Sequence, residues 1–386
     1  MFARRTQWDL QPNALSLAIE RAKAAGRELL DLTASNPTDC GFTYDRERIL
    51  RSLSRAEALH YEPAPFGIAK AREAVARYYA ERAITVDTAR VMLTTSTSEA
   101  YSFIFRLLCD PEDEVLVPRP SYPLFDLLAD VQDVRLKPYE LFYDHGWHLD
   151  LRSLERQLTP RTRAVMVVSP NNPTGSYLEG AEAEALEQFC AAHDLAVVAD
   201  EVFWDYALDS APHTSWASRN EALTFTLGGL SKAAGLPQFK LAWTVVNGPD
   251  GVLSHALQRL EIIADTYLSV NAPIQHALPE LLATASGFQA QVRDRCRTNL
   301  GHLQQSVAAS DLLRVDAGWY AVVRIPAVVS DEEFAVQLLE REGVLVHPGH
   351  FYNFTKEGYI VLSLLPPHPM FAEANGRLLR AMEVLL

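Results

Sequence analysis

Reactive side chains follow several short apolar runs of this sequence. Asp200 comes directly after the run 195–199, and the pair Ser231-Lys232 follows the run 223–227. The tetrapeptide Asn172-Pro173-Thr174-Gly175 follows a third run. A buried carboxylate can pair with a cationic ring, and an ε-amine can act as both nucleophile and base. Taken singly, each feature has an ordinary explanation: a helix cap, a surface lysine or a turn.

Hydroxyl groups cluster at the start of a predicted helix over 98–109, where Thr94 to Ser98 read Thr-Thr-Ser-Thr-Ser. Such a cluster suits an N-cap, and it also suits a phosphate, because backbone N–H groups point out of a helix N-terminus. Tyr122 follows the segment Pro118-Arg119-Pro120. On its own Tyr122 would be a core aromatic.

The elements that position these groups form an alternating pattern. Short β-branched runs separated by helical segments indicate a mainly parallel sheet that is buried on both faces. The fold class is therefore α/β, doubly wound, and ligands of such sheets bind beyond the carboxyl ends of the strands. The predicted strands of this part are 114–117, 164–168, 195–199 and 223–227, and the predicted helices are 67–82, 98–109, 122–129 and 181–193.

The character of the chain changes after about residue 250. Long helical segments, 251–268 and 275–309, precede two strand-like pieces at 319–325 and 359–364, which indicates a smaller α+β domain. We predict an N-terminal segment (1–45) that packs on this small domain, a large domain (46–270) and a small C-terminal domain (271–386). A helix over 12–26 lies in the N-terminal segment.

Composition excludes several classes of protein. The 386 residues carry a net charge of −14, so a nucleic acid partner is not expected. The four cysteines are far apart, which predicts neither disulfides nor a zinc site and favours the cytoplasm. The N-terminus lacks the apolar segment of a signal peptide, and the apolar runs are too short to span a membrane. His145 and His148 lack partner ligands, so no metal is predicted.

The order and spacing of the reactive segments resemble the pyridoxal phosphate (PLP) aminotransferases of fold type I, class I/II. The resemblance extends from Asn36-Pro37 to the C-terminal strand. It implies a large PLP-binding domain, a small domain and a homodimer. It also implies transfer of an amino group from an amino acid to a 2-keto acid, with PLP held as a Schiff base on Lys232.

The resemblance assigns further roles by position. Asp200 matches the carboxylate that pairs with the pyridine nitrogen, and keeping that nitrogen protonated makes the ring an electron sink. Asn172 matches the donor to the ring hydroxyl oxygen, and Tyr122 matches the aromatic that stacks on the ring. Tyr61 matches a tyrosine that reaches the phosphate of the neighbouring subunit. The remaining positions assigned to the cofactor are Ser96, Thr97, Ser98, Phe203, Ser231 and Lys240.

Three positions depart from the family pattern around the cofactor. Phe203 stands where the family has tyrosine, so the ring oxygen loses a donor, and we predict a more basic imine unless Tyr206 substitutes. Gly229 stands where the family has serine, which removes one phosphate hydroxyl. Lys240 replaces an arginine, which keeps the charge and loses the bidentate fork.

A fourth departure affects the substrate. In Gly358-Tyr359-Ile360-Val361-Leu362-Ser363, Val361 stands where the family has the arginine that binds the substrate α-carboxylate. Either another cation replaces it or the substrate lacks a carboxylate there. The candidate cations are Arg4, Arg5, Lys70 and Arg119, although for any one of them an ordinary surface or interdomain charge is the favoured interpretation. The predicted substrate contacts are Ser35, Asn36, Arg119 and Arg5, with Arg5 and Trp8 as a lid.

Two alternatives to transamination remain at the level of sequence. The first is another PLP reaction on the same fold: C–S elimination, decarboxylation or a synthase step. Val361 keeps this alternative open, because the arginine anchors the family's usual substrates. The second is a non-catalytic PLP-sensing protein, for which a fused DNA-binding segment would be expected. Lys232 and Asp200 argue against that second alternative.

Overall fold

A computed structural model describes residues 1–209, 211, 213–268 and 270–385. The chain forms a large eight-stranded sheet, a three-stranded sheet and a two-stranded sheet, with helices packed around them. The α-helices are α1 Ala14–Ala24, α2 Arg46–Leu53, α3 Ala69–Ala80, α4 Thr97–Leu108, α5 Leu124–Asp130, α6 Leu151–Gln157, α7 Gly180–Ala192, α8 Leu230–Ala233, α9 Asp250–Tyr267, α10 Ala272–Ser306, α11 Asp331–Glu342 and α12 His368–Leu385.

The strands follow the same chain order. They are β1 Leu30–Asp31, β2 Val91–Thr94, β3 Glu114–Arg119, β4 Arg135–Tyr143, β5 Trp147–Leu149, β6 Thr162–Val168, β7 Ala196–Asp200, β8 Thr224–Gly229, β9 Ala242–Asn247, β10 Tyr320–Arg324, β11 Val344–Leu345, β12 His347–Pro348 and β13 Tyr359–Ser363.

The large sheet has the strand order β2-β9-β8-β7-β6-β3-β4-β5. Its five central strands, β8, β7, β6, β3 and β4, pair in parallel, and the flanking pairs β2–β9, β9–β8 and β4–β5 are antiparallel. Strands β6, β7 and β8 are buried almost throughout, because helices cover both faces. The predicted α/β class with a mainly parallel sheet is confirmed.

The three-stranded sheet has the order β10-β13-β12 and is antiparallel. The short strand β1 pairs in parallel with β11, and helix α1 packs against α11. One hydrophobic core joins α1, the later part of α10 and this small sheet, with Leu15, Leu300 and Val361 among its members. The N-terminal segment therefore packs on C-terminal elements.

Four strands of the large sheet, β2, β4, β5 and β9, are missing from the sequence prediction. Strand β4 reads Arg-Leu-Lys-Pro-Tyr-Glu-Leu-Phe-Tyr and is half-buried near one edge, so it lacks the continuous apolar run of a central strand. Strand β9 is buried and adds antiparallel to β8, an arrangement that depends on pairing rather than on local pattern. The predicted helix 275–309 begins earlier, at Ala272, where Asn271 caps it.

Within the described part of the chain, no helix combines the length and the apolar character needed to cross a membrane. The same residues contain no group of three or more His, Cys, Asp or Glu side chains placed to hold a metal ion. His148 instead contacts Glu182, at 3.0 Å from its Nδ1 to the carboxylate.

Candidate active site

A cavity of about 280 Å³ lies at the carboxyl ends of β6, β7 and β8, which contribute Val168, Asp200 and Gly229 to its wall. This is the edge where the ligands of open α/β sheets bind. The structure brings together most of the side chains that the sequence nominated. Those lining the cavity are Ser35, Ser96, Thr97, Ser98, Tyr122, Asn172, Asp200, Phe203, Ser231, Lys232 and Lys240.

Lys232 lies on the short helix α8, directly after β8, and its amine is enclosed by aromatic rings. The Nζ atom is 4.5 Å from the centroid of the Trp319 ring and 5.4 Å from that of Phe203. Burial lowers the pKa of the Lys232 amine to about 8, against the opposing effect of Asp200. An amine with this pKa is partly neutral near pH 7, so it can act as nucleophile and base.

Asp200 ends strand β7 and is buried at the floor of the cavity. Its carboxylate accepts hydrogen bonds from the Tyr101 hydroxyl at 2.8 Å and from the Val202 N–H at 3.1 Å. Burial raises the pKa of Asp200, while these two donors and Lys232 act to lower it. A buried carboxylate held in this way is suited to pair with a cationic group of a ligand.

The N-terminus of α4 opens into the cavity with three hydroxyl residues. Ser96 caps the helix, because its Oγ accepts the Glu99 N–H at 3.1 Å, and the Ser96 hydroxyl keeps its own proton for donation. The Thr95 N–H in turn donates to the Glu99 carboxylate at 2.7 Å. Lys240 also lines the cavity and adds a positive charge. The helix N-terminus, the hydroxyls and this cation together suit a phosphate group.

Asn172 and Tyr122 complete a site that fits a flat heteroaromatic ring. The Asn172 side chain is buried, and its Oδ1 is among the buried polar atoms that lack a hydrogen-bond partner within the described residues. An orphaned buried amide is costly unless a ligand satisfies it. Tyr122 is 40% exposed and lines the cavity. These residues, with Asp200 and the phosphate-binding helix end, fit PLP.

Tyr206 does not supply the phenol that is missing at Phe203. Tyr206 is fully buried, and its hydroxyl donates to the main-chain oxygen of Lys232. It therefore supports the α8 backbone instead of replacing the missing phenol. At Gly229, an added Cβ would lie 3.1 Å from the Ala242 Cβ, so the serine usual in the family would require β9 to shift.

Four nominated residues lie outside the cavity wall of the subunit. Asn36 caps a short turn, with its Oδ1 accepting the Thr38 N–H at 3.2 Å. Arg119 lies 3.6 Å from the Glu140 carboxylate, and Arg5 pairs with Asp133. Tyr61 is 70% exposed. Trp8 donates to Asp130 at 2.9 Å, so Arg5 and Trp8 fasten the N-terminal segment to the end of α5.

Three residues of the site are absent from the sequence prediction: Tyr101, Trp319 and Tyr320. Tyr101 lies one turn after the hydroxyl cluster on α4, so helical spacing alone allows it to reach the sheet edge. Trp319 and Tyr320 stand at the start of a predicted strand, but their approach to Lys232 depends on how two sheets pack. No sequence signal for that approach is visible.

A buried lysine, a buried aspartate and a phosphate-binding helix end, set at the strand ends of a doubly wound sheet, define an α/β enzyme built for a phosphorylated cofactor. Residues 27–367 match the family described as aminotransferase class I and II. The chain therefore belongs to this family. It is a PLP-dependent aminotransferase, and the family resemblance drawn from the sequence is confirmed.

Curated relatives extend over nearly the whole chain. The chain is 27% identical over 378 residues to the glutamate-pyruvate aminotransferase AlaA of Haemophilus influenzae, covering 93% of this chain and 92% of that protein. It is 29% identical over 376 residues to the alanine aminotransferase of Mycobacterium bovis, covering 93% and 86%. The arginine–pyruvate transaminase AruH of Pseudomonas aeruginosa is 29% identical, with 98% and 95% covered.

Solved structures show the same fold. An alanine aminotransferase from Pyrococcus furiosus superposes with a TM-score of 0.89 at 22% identity, over 100% of both chains. An aspartate aminotransferase double mutant from Thermus thermophilus gives a TM-score of 0.86 at 24% identity, over 99% of both chains. The sheets and their surrounding helices are thus arranged as in known aminotransferases.

Proposed function

We propose that this aminotransferase uses alanine and pyruvate as one of its substrate pairs, with Lys232 as the catalytic base. The observation that carries the catalytic part is the buried Lys232 amine, which shares a cavity with Asp200 and Asn172. The substrate part is supported by relatives named alanine aminotransferase, glutamate-pyruvate aminotransferase and arginine–pyruvate transaminase.

Bound PLP supplies an electron sink for the electrons left at the substrate Cα when its proton departs. The protein supplies the proton transfer: Lys232 Nζ, in its neutral form, takes the proton from Cα. The pKa of about 8 leaves part of the amine population neutral at physiological pH. The Trp319 and Phe203 rings lie beside Nζ and make its surroundings apolar. Lys232 is therefore placed and tuned for base catalysis.

The other cavity residues hold and orient the cofactor. Asp200 would pair with its ring nitrogen, Asn172 with its ring oxygen, and Tyr122 would cover one ring face. The phosphate would take donors from the α4 N-terminus, and the further residues assigned to it are Ser96, Thr97, Ser98, Ser231 and Lys240. Since Lys240 cannot form the two parallel bonds of a guanidinium, the phosphate is held less rigidly than by arginine.

The enzyme acts as a homodimer in this proposal, with Tyr61 directed to the neighbouring subunit. The exposure of Tyr61 supports this role, because it leaves the side chain available to a second chain. The nearby Leu59 is 93% exposed and adds apolar surface that a partner could cover. The four unpaired cysteines support a reducing compartment such as the cytoplasm.

Amino transfer from alanine tests the proposal directly. PLP-loaded enzyme is mixed with alanine, and pyruvate is measured with and without 2-oxoglutarate. We expect continuous pyruvate formation only with the acceptor, and at least about a thousandfold loss in Lys232→Ala. Lys137→Ala is the matched control, since Lys137 lies beside Glu114 near the edge of the sheet and should retain full activity.

Two outcomes contradict the proposal in different ways. Failure of alanine, while other amino acids react, would refute the substrate pair and leave Lys232 as the base. Sustained keto-acid release from any donor without an acceptor would indicate elimination, the alternative that Val361 keeps open.

A further inference from the structure

The small sheet contributes Tyr320 to the lining of the cavity. Val361 on β13 lies opposite Val322 of β10 on one side and opposite His347 of β12 on the other. Residues paired across an antiparallel ladder share a face, as do residues two apart along a strand. Tyr320, which pairs with Ser363, therefore lies on the same face as Val361. Tyr320 also lines the cavity.

Ser35 is held against this sheet by main-chain contacts. The Ser363 N–H donates to the Leu32 oxygen at 2.7 Å, and the Ser363 hydroxyl donates to the Ala34 oxygen. These bonds fix the segment that precedes Ser35 along β13. Ser35 lines the same cavity as Tyr320. Two hydroxyl side chains, one from the small sheet and one from the segment bonded to it, thus border the site.

A second set of contacts joins the segment that carries Tyr122 to the small sheet. The Ser121 N–H donates to the Tyr352 oxygen at 2.9 Å, and the Tyr352 hydroxyl lies 3.1 Å from His347 Nδ1. Burial raises the pKa of the Tyr320 hydroxyl, and Tyr122 raises it further, so the phenol keeps its proton. A neutral, protonated phenol in this position is a hydrogen-bond donor.

The charges around the cavity define what these donors are needed for. Among the residues that the structure describes, the cations lining the cavity are Lys232 and Lys240. Lys232 is committed to the proton transfer and Lys240 to the phosphate in the proposed function. Among the other lining residues that the structure describes, Tyr320 and Ser35 carry hydroxyl groups that have no role in holding the cofactor in that proposal.

We propose that Tyr320 and Ser35 donate hydrogen bonds to the carboxylate of the amino acid, in place of a guanidinium. This inference rests on the proposed function, since it names how the same cavity receives its substrate. Neutral donors bind a carboxylate more weakly than a bidentate arginine does. The enzyme should therefore tolerate amines that lack the acid group better than an enzyme with a guanidinium clamp.

The test uses two probes that lack a Cα hydrogen and so bind without reacting further. These probes are 2-methylalanine and tert-butylamine, in which a methyl group replaces the carboxylate. Dissociation constants are read from the absorbance change of PLP-loaded enzyme. We expect Tyr320→Phe to raise the dissociation constant of 2-methylalanine about tenfold, the equivalent of one hydrogen bond to a charged group. The dissociation constant of tert-butylamine should stay unchanged.

Two further variants keep the result interpretable. Ser35→Ala removes the second donor and should weaken 2-methylalanine several-fold, which tests the inference even if Tyr320→Phe folds poorly. Tyr359→Phe is the matched control, because Tyr359 lies at the outer end of β13 and stacks on Phe354 at 4.7 Å. It should bind both probes as the unmodified enzyme does.

Equal weakening of both probes, or no weakening of either, would overturn the inference. So would an unmodified enzyme that binds 2-methylalanine no better than tert-butylamine. Amino transfer by the unmodified enzyme is scored separately with alanine. If that transfer occurs and the variants bind both probes normally, the proposed function stands and the role of Tyr320 and Ser35 fails.

Discussion

At the scale of single residues, the substitutions around Lys232 define this enzyme within its family. Phe203 lines the cavity without a hydroxyl, and Tyr206 is engaged with the Lys232 main chain. Trp319 adds an aromatic face 4.5 Å from Nζ. The surroundings of the amine are therefore more apolar than the sequence motif alone implies.

Phe203→Tyr restores the phenol and should lower the pKa of the imine that Lys232 forms with the cofactor. A donor to the ring oxygen stabilises the deprotonated imine, so the imine pKa should fall by about 1 unit, the equivalent of about 1.4 kcal/mol. Absorbance titration of the PLP-loaded protein measures the midpoint directly. Unmodified enzyme should stay in the yellow, protonated form through neutral pH.

Tyr206→Phe serves as the comparison for that titration. Its hydroxyl contacts the backbone of α8, so this change should lower stability and leave the midpoint unchanged. A shift in Tyr206→Phe with none in Phe203→Tyr would show that Tyr206 supplies the donor after all.

At the scale of elements, helix α4 serves two parts of the site. Its N-terminus presents the Ser96 cap and its hydroxyl neighbours to the phosphate position, and one turn later Tyr101 reaches the Asp200 carboxylate. The hydroxyl cluster is visible in the sequence as a candidate phosphate site. Tyr101 is invisible there because an aromatic on a buried helical stripe is read as core.

Removing the Tyr101 hydroxyl should destabilise the ionised form of Asp200 relative to the protonated form. Burial already raises the pKa of this carboxyl and the phenol lowers it, so Tyr101→Phe raises the pKa further. The acid limb of kcat/KM should move toward neutral pH by about 1 unit. The free energy of unfolding should fall by about 1.5–3 kcal/mol, the usual contribution of a hydrogen bond to a charged group.

Tyr139→Phe is the control for this measurement. The Tyr139 hydroxyl donates to the Met166 oxygen at 2.8 Å and is buried away from the cavity. It should cost stability while the pH profile stays in place. An unmoved acid limb in Tyr101→Phe would show that Tyr101 does not tune Asp200.

At the scale of the whole molecule, the sequence predicts the central parallel strands and the edge at which they present their side chains. It does so because continuous β-branched runs such as 164–168 report burial on both faces. It does not predict β4 or β9, whose placement depends on partners distant in the chain. For the same reason the sequence does not predict that Tyr320 of the small sheet lines the cavity.

The proposed dimer is tested by mixing two variants. Tyr61→Ala and Lys232→Ala are unfolded together, refolded together and reloaded with PLP. If Tyr61 serves the neighbouring subunit, half of the dimers are hybrids and each hybrid contains one intact site. Activity should then reach about a quarter of the unmodified level, by random pairing of subunits.

The refolded single variants set the baseline for this mixture. Activity in the mixture equal to the average of the two single variants would show that Tyr61 and Lys232 of one subunit act in the same active site. Native mass measurement of the mixture reports the fraction of hybrids independently.

The contacts of the cavity divide between two sheets. Most residues assigned to the cofactor come from the strand ends of the large sheet and from α4, whereas Tyr320 belongs to the small sheet and Ser35 to the segment bonded to it. A mutation in the small sheet can therefore change which amino donor the enzyme uses, while the reaction stays the same. Among related enzymes that differ in their amino donor, sequence differences should appear first around β10 and β13.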